Sequence, residues 1–163
     1  MITLRPASPS RAAVTLADMT QAAAAELAPS LTAITPWATY AMSSEAMRTY
    51  LAAHEPGAPR YQLRLGDQLA GAVGLRLNWM RGPYMQQFGI VPAFQRQGLG
   101  DLVLAWFEAD AKERGDRSIW VAASDFNADA IRFYERFGFQ RTADLADLLR
   151  DGVTEILFRK KIA

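Results

Sequence analysis

The spacing of apolar residues changes period along the chain and divides it into helix-like and strand-like stretches. Ile2–Pro6 alternates weakly and reads as a first strand. Between Ser10 and Leu27, Val14, Leu16, Met19 and a run of alanines predict a helix that Pro29 closes. Ser30–Tyr40 carries Pro, Thr and Trp37 and reads as a loop or a broken helical turn. Ser43–His54 predicts a second helix, with Met47, Tyr50 and Leu51 on one face, ended by Glu55-Pro56-Gly57-Ala58-Pro59. The period then shifts to two. Arg60–Leu65, a Gly66-Asp67 turn and Gln68–Trp79 make a hairpin, and Arg81-Gly82-Pro83 turns the chain into a further strand, Tyr84–Val91.

Helical spacing returns at Gln97–Arg114, where Leu99, Leu102, Val103, Trp106, Phe107 and Ala111 form the apolar face and Gly115 ends the pattern. Ser118–Ala123 is a short buried strand and Asn127–Phe137 an amphipathic helix stopped by Gly138. Phe139–Thr142 and Val153–Ile162 close the chain as strands. The predicted order, β-α-α-β-β-β-α-β-α-β-β, is that of a mixed α/β domain with helices on a mostly antiparallel sheet. No repeat, linker or charge block marks a second domain, so residues 1–163 are expected to form one.

Composition narrows the chemistry more than the fold. The 18 Lys and Arg nearly cancel the 17 Asp and Glu, leaving +1, which gives no support for a nucleic-acid or membrane-surface partner. There is no cysteine and a single histidine, His54, so thiolate nucleophiles, disulfides and Cys/His metal sites are excluded. The first residues lack the basic-then-apolar pattern of a signal peptide, and no apolar run approaches the ~20 residues of a membrane span. A cytoplasmic protein, monomeric or homodimeric, is the expectation.

The informative segment is Phe88-Gly89-Ile90-Val91-Pro92-Ala93-Phe94-Gln95-Arg96-Gln97-Gly98-Leu99-Gly100. A glycine-bearing turn entering a helix leaves backbone N–H groups unpaired at the positive helix end, a site suited to phosphate. Gly98 and Gly100 let a ligand approach the main chain, and Arg96 adds a cation. Neither familiar phosphate motif fits, because Asp101 follows Gly100 where a P-loop has Lys, and Val103 stands where a dinucleotide fingerprint has its third glycine. The same pattern without a ligand is a plain helix start.

Gln95-x-x-Gly98-x-Gly100 resembles the Gln/Arg-x-x-Gly-x-Gly/Ala signature of the GNAT superfamily, the N-acetyltransferases that use acetyl-CoA. Phe88-Gly89-Ile90-Val91-Pro92 is similar to the strand before it, and Asn127–Phe139 to the family's Asn-x-x-Ala-x-x-x-Tyr-x-x-x-Gly-Phe helix. The resemblance covers about Tyr84–Phe139. It implies a sheet of about seven strands and about four helices, splayed at the cofactor-binding strand. It also implies that Phe88, Gly89 and Ile90 offer main-chain groups to the pantetheine arm and acetyl carbonyl. Gln95, Arg96, Gln97, Gly98, Leu99, Gly100 and Asp101 would form the pyrophosphate loop, with Asp101 turned to solvent. Asn127 would contact the CoA arm, although Asn is also among the best helix N-caps. Tyr134 would donate a proton to the CoA sulfur, and is otherwise a core tyrosine beside Phe133 and Phe137.

No base stands where relatives carry one: those positions read Gln86, Gln87, Ala122 and Ala123. The bacterial ribosomal-protein N-terminal-alanine acetyltransferases share Gln-Arg-Gln-Gly-Leu-Gly but typically have Glu at the Ala122 position, so their substrate does not transfer. Asp125, Glu55 and His54 remain as weak candidates, His54 reading better as a surface residue. Thr35, Trp37, Tyr40, Trp79 and Tyr84 are candidate linings of an acceptor cleft, or else core plugs. The expected reaction is direct acetyl transfer to a primary amine, small or on a protein. The alternatives are a CoA-binding module that has lost catalysis and a nucleotide-phosphate binder.

Overall fold

The structure, a computed structural model, describes residues 1–4 and 13–163. Eight strands form one sheet: β1 (Ile2–Leu4), β2 (Val14–Asp18), β3 (Arg60–Leu65), β4 (Gln68–Trp79), β5 (Gly82–Ile90), β6 (Ser118–Ser124), β7 (Gln140–Ala146) and β8 (Thr154–Lys161). Their order is β1-β2-β3-β4-β5-β6-β8-β7. All neighbours run antiparallel except β5 and β6. The helices are α1 (Gln21–Thr32), α2 (Ser44–Ala52), α3 (Leu99–Glu113) and α4 (Ala128–Arg136).

Two expectations about the N-terminal part need correction. The predicted helix from Ser10 begins among residues that lie outside those described, and its next stretch is strand β2, paired with β1 and β3. Val14 and Leu16 bury alternately, a period-two signal that the following alanines obscured. The helix proper starts at Thr20, whose hydroxyl accepts from the Ala23 N–H at 3.1 Å. Pro29 does not end it; α1 runs to Thr32. Pro29 and Ala25 both face solvent, where water serves the carbonyl that the missing N–H frees. Leu27, Ala28 and Leu31 hold the helix to the sheet across the break.

The sheet separates two apolar layers. Leu99, Val103, Leu104 and Phe107 of α3 and Tyr134 of α4 pack with Val73, Met85, Val121 and Phe158 on one face. On the other, Ala24, Leu27, Leu31, Met47 and Leu51 of α1 and α2 pack against Ala72 and Val91. β5 changes sides within this arrangement. Gly74 pairs with Gln87 and Leu75 with Met85, so Gln86 is an extra, bulged residue. Met85 therefore joins the α3/α4 layer, whereas the Gln87 side chain points to Met47 of α2. A bulge bends its strand. Beyond it β5 leaves β6: the two pair only at Tyr84↔Trp120 and Met85↔Val121.

Candidate active site

The divergence of β5 from β6 opens a wedge in the sheet, and the candidate groups converge on it. On the β5 side, residues Phe88–Ile90 remain paired with Val73, Ala72 and Gly71 of β4. An antiparallel ladder uses the backbone groups of alternate residues toward one neighbour only. The remaining groups of this stretch face the side that β6 has vacated. The Ile90 carbonyl also accepts a bond at 2.8 Å from the Gln95 side chain, which ties the following loop to the strand end.

The loop itself is shaped by a single 3-10 turn, Pro92–Phe94, and two left-handed residues, Arg96 (φ 60°) and Gly98 (φ 79°). Gly98 caps α3 with no side-chain hydrogen bond, so the first N–H groups of this 15-residue helix have no capping oxygen. Gln97 reaches back to the Ala93 carbonyl at 3.0 Å. Asp101 is exposed, as expected, and bonds Arg136 of α4 at 3.2 Å. A Cβ on Gly100 would stand 2.9 Å from the Phe133 ring tip, so this glycine also serves the α3–α4 contact.

Across the wedge, the Asn127 Oδ1 accepts from the Ala130 N–H at 3.3 Å, the N-cap role. No described residue hydrogen-bonds its Nδ2, so capping and contact with a ligand amide are compatible. Tyr134 is 7% exposed, its ring set among Phe133, Phe139 and Phe158. Burial pushes its phenol well above the ordinary range, with Tyr84 adding to the shift. The core reading and the site reading both hold: the ring is core, and no described residue engages its hydroxyl.

Searches with known proteins agree with this geometry. The sequence model described as "Acetyltransferase (GNAT) family" matches residues 21–139. The chain belongs to the GNAT acetyltransferase family. It is 34% identical over 65 residues to the acetyltransferase Atu2258 of Agrobacterium fabrum, a match covering 40% of this chain and 46% of that relative. The chain thus spans about half the length of the curated relative it matches. Among solved structures, the ribosomal-protein-S18-alanine N-acetyltransferase of Escherichia coli superposes with TM-score 0.72 at 20% identity, covering 92% and 94% of the two chains. Ard1 from Thermoplasma volcanium gives TM-score 0.73 at 16% identity, covering 92% and 98%. A GNAT acetyltransferase from Elizabethkingia anophelis, solved with acetyl-CoA bound, gives 0.67 at 16%, covering 91% and 97%. At these identities the structures speak for the fold. Eight strands and four helices, mostly antiparallel and splayed at β5, are that fold.

The α1/α2 face of the GNAT wedge holds a polar cluster that sequence reasoning missed. Ser124 ends β6 and pairs in register with Glu155 of β8. Ser124 Oγ donates to Glu155 Oε1 at 2.6 Å, and the Tyr40 hydroxyl, from the α1–α2 loop, donates to the same oxygen. Tyr40 also lies 2.9 Å from Ser124 Oγ. Burial and the bond to Glu155 push the Tyr40 phenol up to about 12. Tyr84 is raised to about 12 by burial and by the Glu155 charge. Tyr84 also raises the phenol of Tyr134.

Of the five proposed cleft residues, the structure brings Tyr40 to this cluster, while Tyr84 feels the Glu155 charge without bonding it. Trp79 stacks on the Tyr84 ring at 5.2 Å, at the hairpin end. Trp37 packs over Gly89 within the α1/α2 layer, and Thr35 is exposed and makes no bond to the cluster. The weak base candidates separate as well. Glu55 is held by Arg76 at 2.7 Å and Arg60 at 3.5 Å, and His54 is exposed. Asp125 accepts from the Thr154 N–H at 3.2 Å. Glu155 had no signal in the sequence: it stands in a strand outside both motifs, and only the β6–β8 pairing brings it to the site.

No helix among the described residues is long and apolar enough to cross a membrane, and no described group of acidic or histidine side chains suits a metal ion.

Proposed function

We propose that this protein transfers an acetyl group from acetyl-CoA to a primary amine, on a small molecule or at a protein N-terminus or lysine, by direct attack. The observation that carries the proposal is the wedge between β5 and β6, with an uncapped α3 N-terminus at one end. The residues present suit the donor. Backbone groups of Phe88, Gly89 and Ile90 bind the pantetheine arm and orient the thioester carbonyl. The loop Gln95–Asp101 offers N–H groups and the Arg96 guanidinium to the pyrophosphate. Asn127 donates through Nδ2 to the arm. Tyr134 faces the sulfur.

The raised phenol defines what Tyr134 does. A group that holds its proton this tightly stabilises a departing thiolate by hydrogen bonding, and yields the proton only as charge builds on sulfur in the same dry site.

The test has two parts. CoA and acetyl-CoA should raise the melting temperature by mass action, and ATP should not. A panel of primary amines and short peptides with free N-termini should then release thiol from acetyl-CoA. Stabilisation by ATP but not CoA would overturn the reading. Stabilisation by CoA with no transfer to any amine would instead support a binding module without catalysis.

A further inference from the structure

One strand over from the wedge, on β8, stands a carboxylate whose chemistry is incomplete. Glu155 is 6% exposed, yet no described lysine or arginine lies within ion-pair distance of it. A buried carboxylate without a cation is costly unless hydrogen bonds or an incoming charge compensate it. Both of its printed bonds, from Ser124 and Tyr40, end on Oε1. Oε2 accepts nothing from any described residue, and it is not among the fully enclosed polar atoms that lack a partner. It is thus the open end of an otherwise fixed group.

Register shows which face of the sheet carries Glu155. On β6 the side chains of Trp120, Ala122 and Ser124 share the face opposite the α3/α4 layer, since Ile119, Val121 and Ala123 belong to that layer. On β8, Glu155, Leu157 and Arg159 share the same face, because Ile156 and Phe158 point the other way. Ala122 pairs with Leu157, so Glu155 is its diagonal neighbour. Diagonal Cβ atoms lie about 7–8 Å apart, within the reach of one long side chain. Ala122 presents only a methyl group on that face, next to the last pair, Met85↔Val121, that joins β5 to β6.

We propose that Glu155 is the acceptor-binding carboxylate and general base of this enzyme: Oε2 receives the acceptor's ammonium and takes a proton from it, while Tyr40 and Ser124 hold Oε1 in place. This inference rests on the acetyltransferase reading above and deepens it. The proton balance closes. One N–H proton passes to Glu155, and the neutral amine then forms the C–N bond as the C–S bond breaks. The second proton reaches the CoA sulfur by way of the Tyr134 hydroxyl, and Glu155 returns its own to solvent.

Among the described residues, a few other charges and phenols act around Glu155, including Arg76 of β4, which acts on Tyr84. Tyr40 on the α1–α2 loop and Tyr84 on β5 feel its charge, and Asp125 after β6 acts on Tyr40. On its own strand, Arg159 stacks on Trp120 and bonds Ser118 at the far end of β6.

The experiment compares wild type, Glu155→Gln and Glu155→Gln/Ala122→Glu on amines of the panel with pKa near 9–10, as a function of pH. The expected loss in Glu155→Gln is about 10²-fold in kcat/KM at pH 7, with CoA stabilisation intact. That deficit should shrink as pH approaches the amine pKa, because free amine no longer needs a base. Ala122→Glu should recover at least about tenfold, by returning a carboxylate to the same space. A deficit equal at all pH values and not rescued would mean a structural role and overturn the proposal. So would a Glu155→Gln enzyme as active as wild type. A wild type that binds CoA but acetylates none of the amines would overturn the acetyltransferase reading itself, and this inference with it.

Discussion

Gly71 of β4 provides a measurable test of how the cofactor strand is held. A Cβ built there stands 2.2 Å from the Gly89 carbonyl oxygen and 3.1 Å from the Ile90 Cα. Both contacts are backbone, so no side-chain rotation relieves them. An ordinary carbon–oxygen contact needs about 1 Å more, which β5 must supply by moving at the residues proposed to face the thioester. Overpacking of this kind costs at most about 3 kcal/mol in typical cores, and the unfolded-state gain of a Gly→Ala change returns about 0.4–1 kcal/mol. Gly71→Ala should therefore lose about 2 kcal/mol. At roughly 2–4 °C per kcal/mol for a chain of this size, the melting temperature should fall by roughly 4–8 °C. Calorimetry with acetyl-CoA should show weaker binding as well. Gly89→Ala is the control, since its Cβ would meet the side-chain atoms Leu31 Cδ2 at 2.7 Å and Trp37 Cη2 at 2.8 Å. Those atoms end side chains and can yield, so the loss should be smaller. A Gly71→Ala protein melting within about 1 °C of wild type would refute the reasoning, as would a larger loss in Gly89→Ala.

Tyr134→Phe should reduce kcat by about 10²-fold or more while leaving the acetyl-CoA dissociation constant nearly unchanged; equal turnover would remove the phenol from the mechanism. Asn127→Ala should cost about 1 kcal/mol through loss of the α4 cap, and should weaken acetyl-CoA in addition, which titration separates from the melting shift. Alkaline pH should destabilise the fold. Tyr84 and Tyr134 hold their protons more tightly folded than unfolded, so the stability they add is present below pH 10 and lost as pH rises through 10 toward 12. Each buried phenol contributes about 1.4 kcal/mol per pH unit in that window, and urea titrations at pH 9, 10 and 11 would read it. Tyr40 is half-buried and adds less, because solvent screens its charge. A flat profile would contradict the burial assigned to these groups.

Much of this was legible before any coordinates. The run Gln95–Gly100 and the helix opened by Asn127 are local motifs, in which the few residues that shape the backbone are also those proposed to meet the ligand. Helix α3 announced itself by Leu99, Val103 and Phe107 at helical spacing, because one amphipathic face is enough to specify a helix over a sheet. β2 was hidden because its five residues of alternation are followed, after Met19-Thr20-Gln21, by a run of alanines, and local propensity cannot decide where one period stops. Pro29 misled because its effect depends on whether the freed carbonyl meets water, and that is a property of the packed helix.

The order of the remaining elements, the glycine turn proposed to hold the pyrophosphate and the candidate acid Tyr134 are thus legible in the sequence alone. Tertiary structure decided where the sheet opens and what faces the opening. Gln86 became a bulge only through its pairing with β4, and the bulge turns β5 away from β6. Glu155 lies 115 residues from Tyr40, and the two meet because β8 pairs beside β6 and the α1–α2 loop folds over both. Contacts at that separation arise from strand pairing rather than local spacing. For this reason the residues proposed for the donor half of the site are legible in the sequence, while the carboxylate proposed for the acceptor half emerges from the fold.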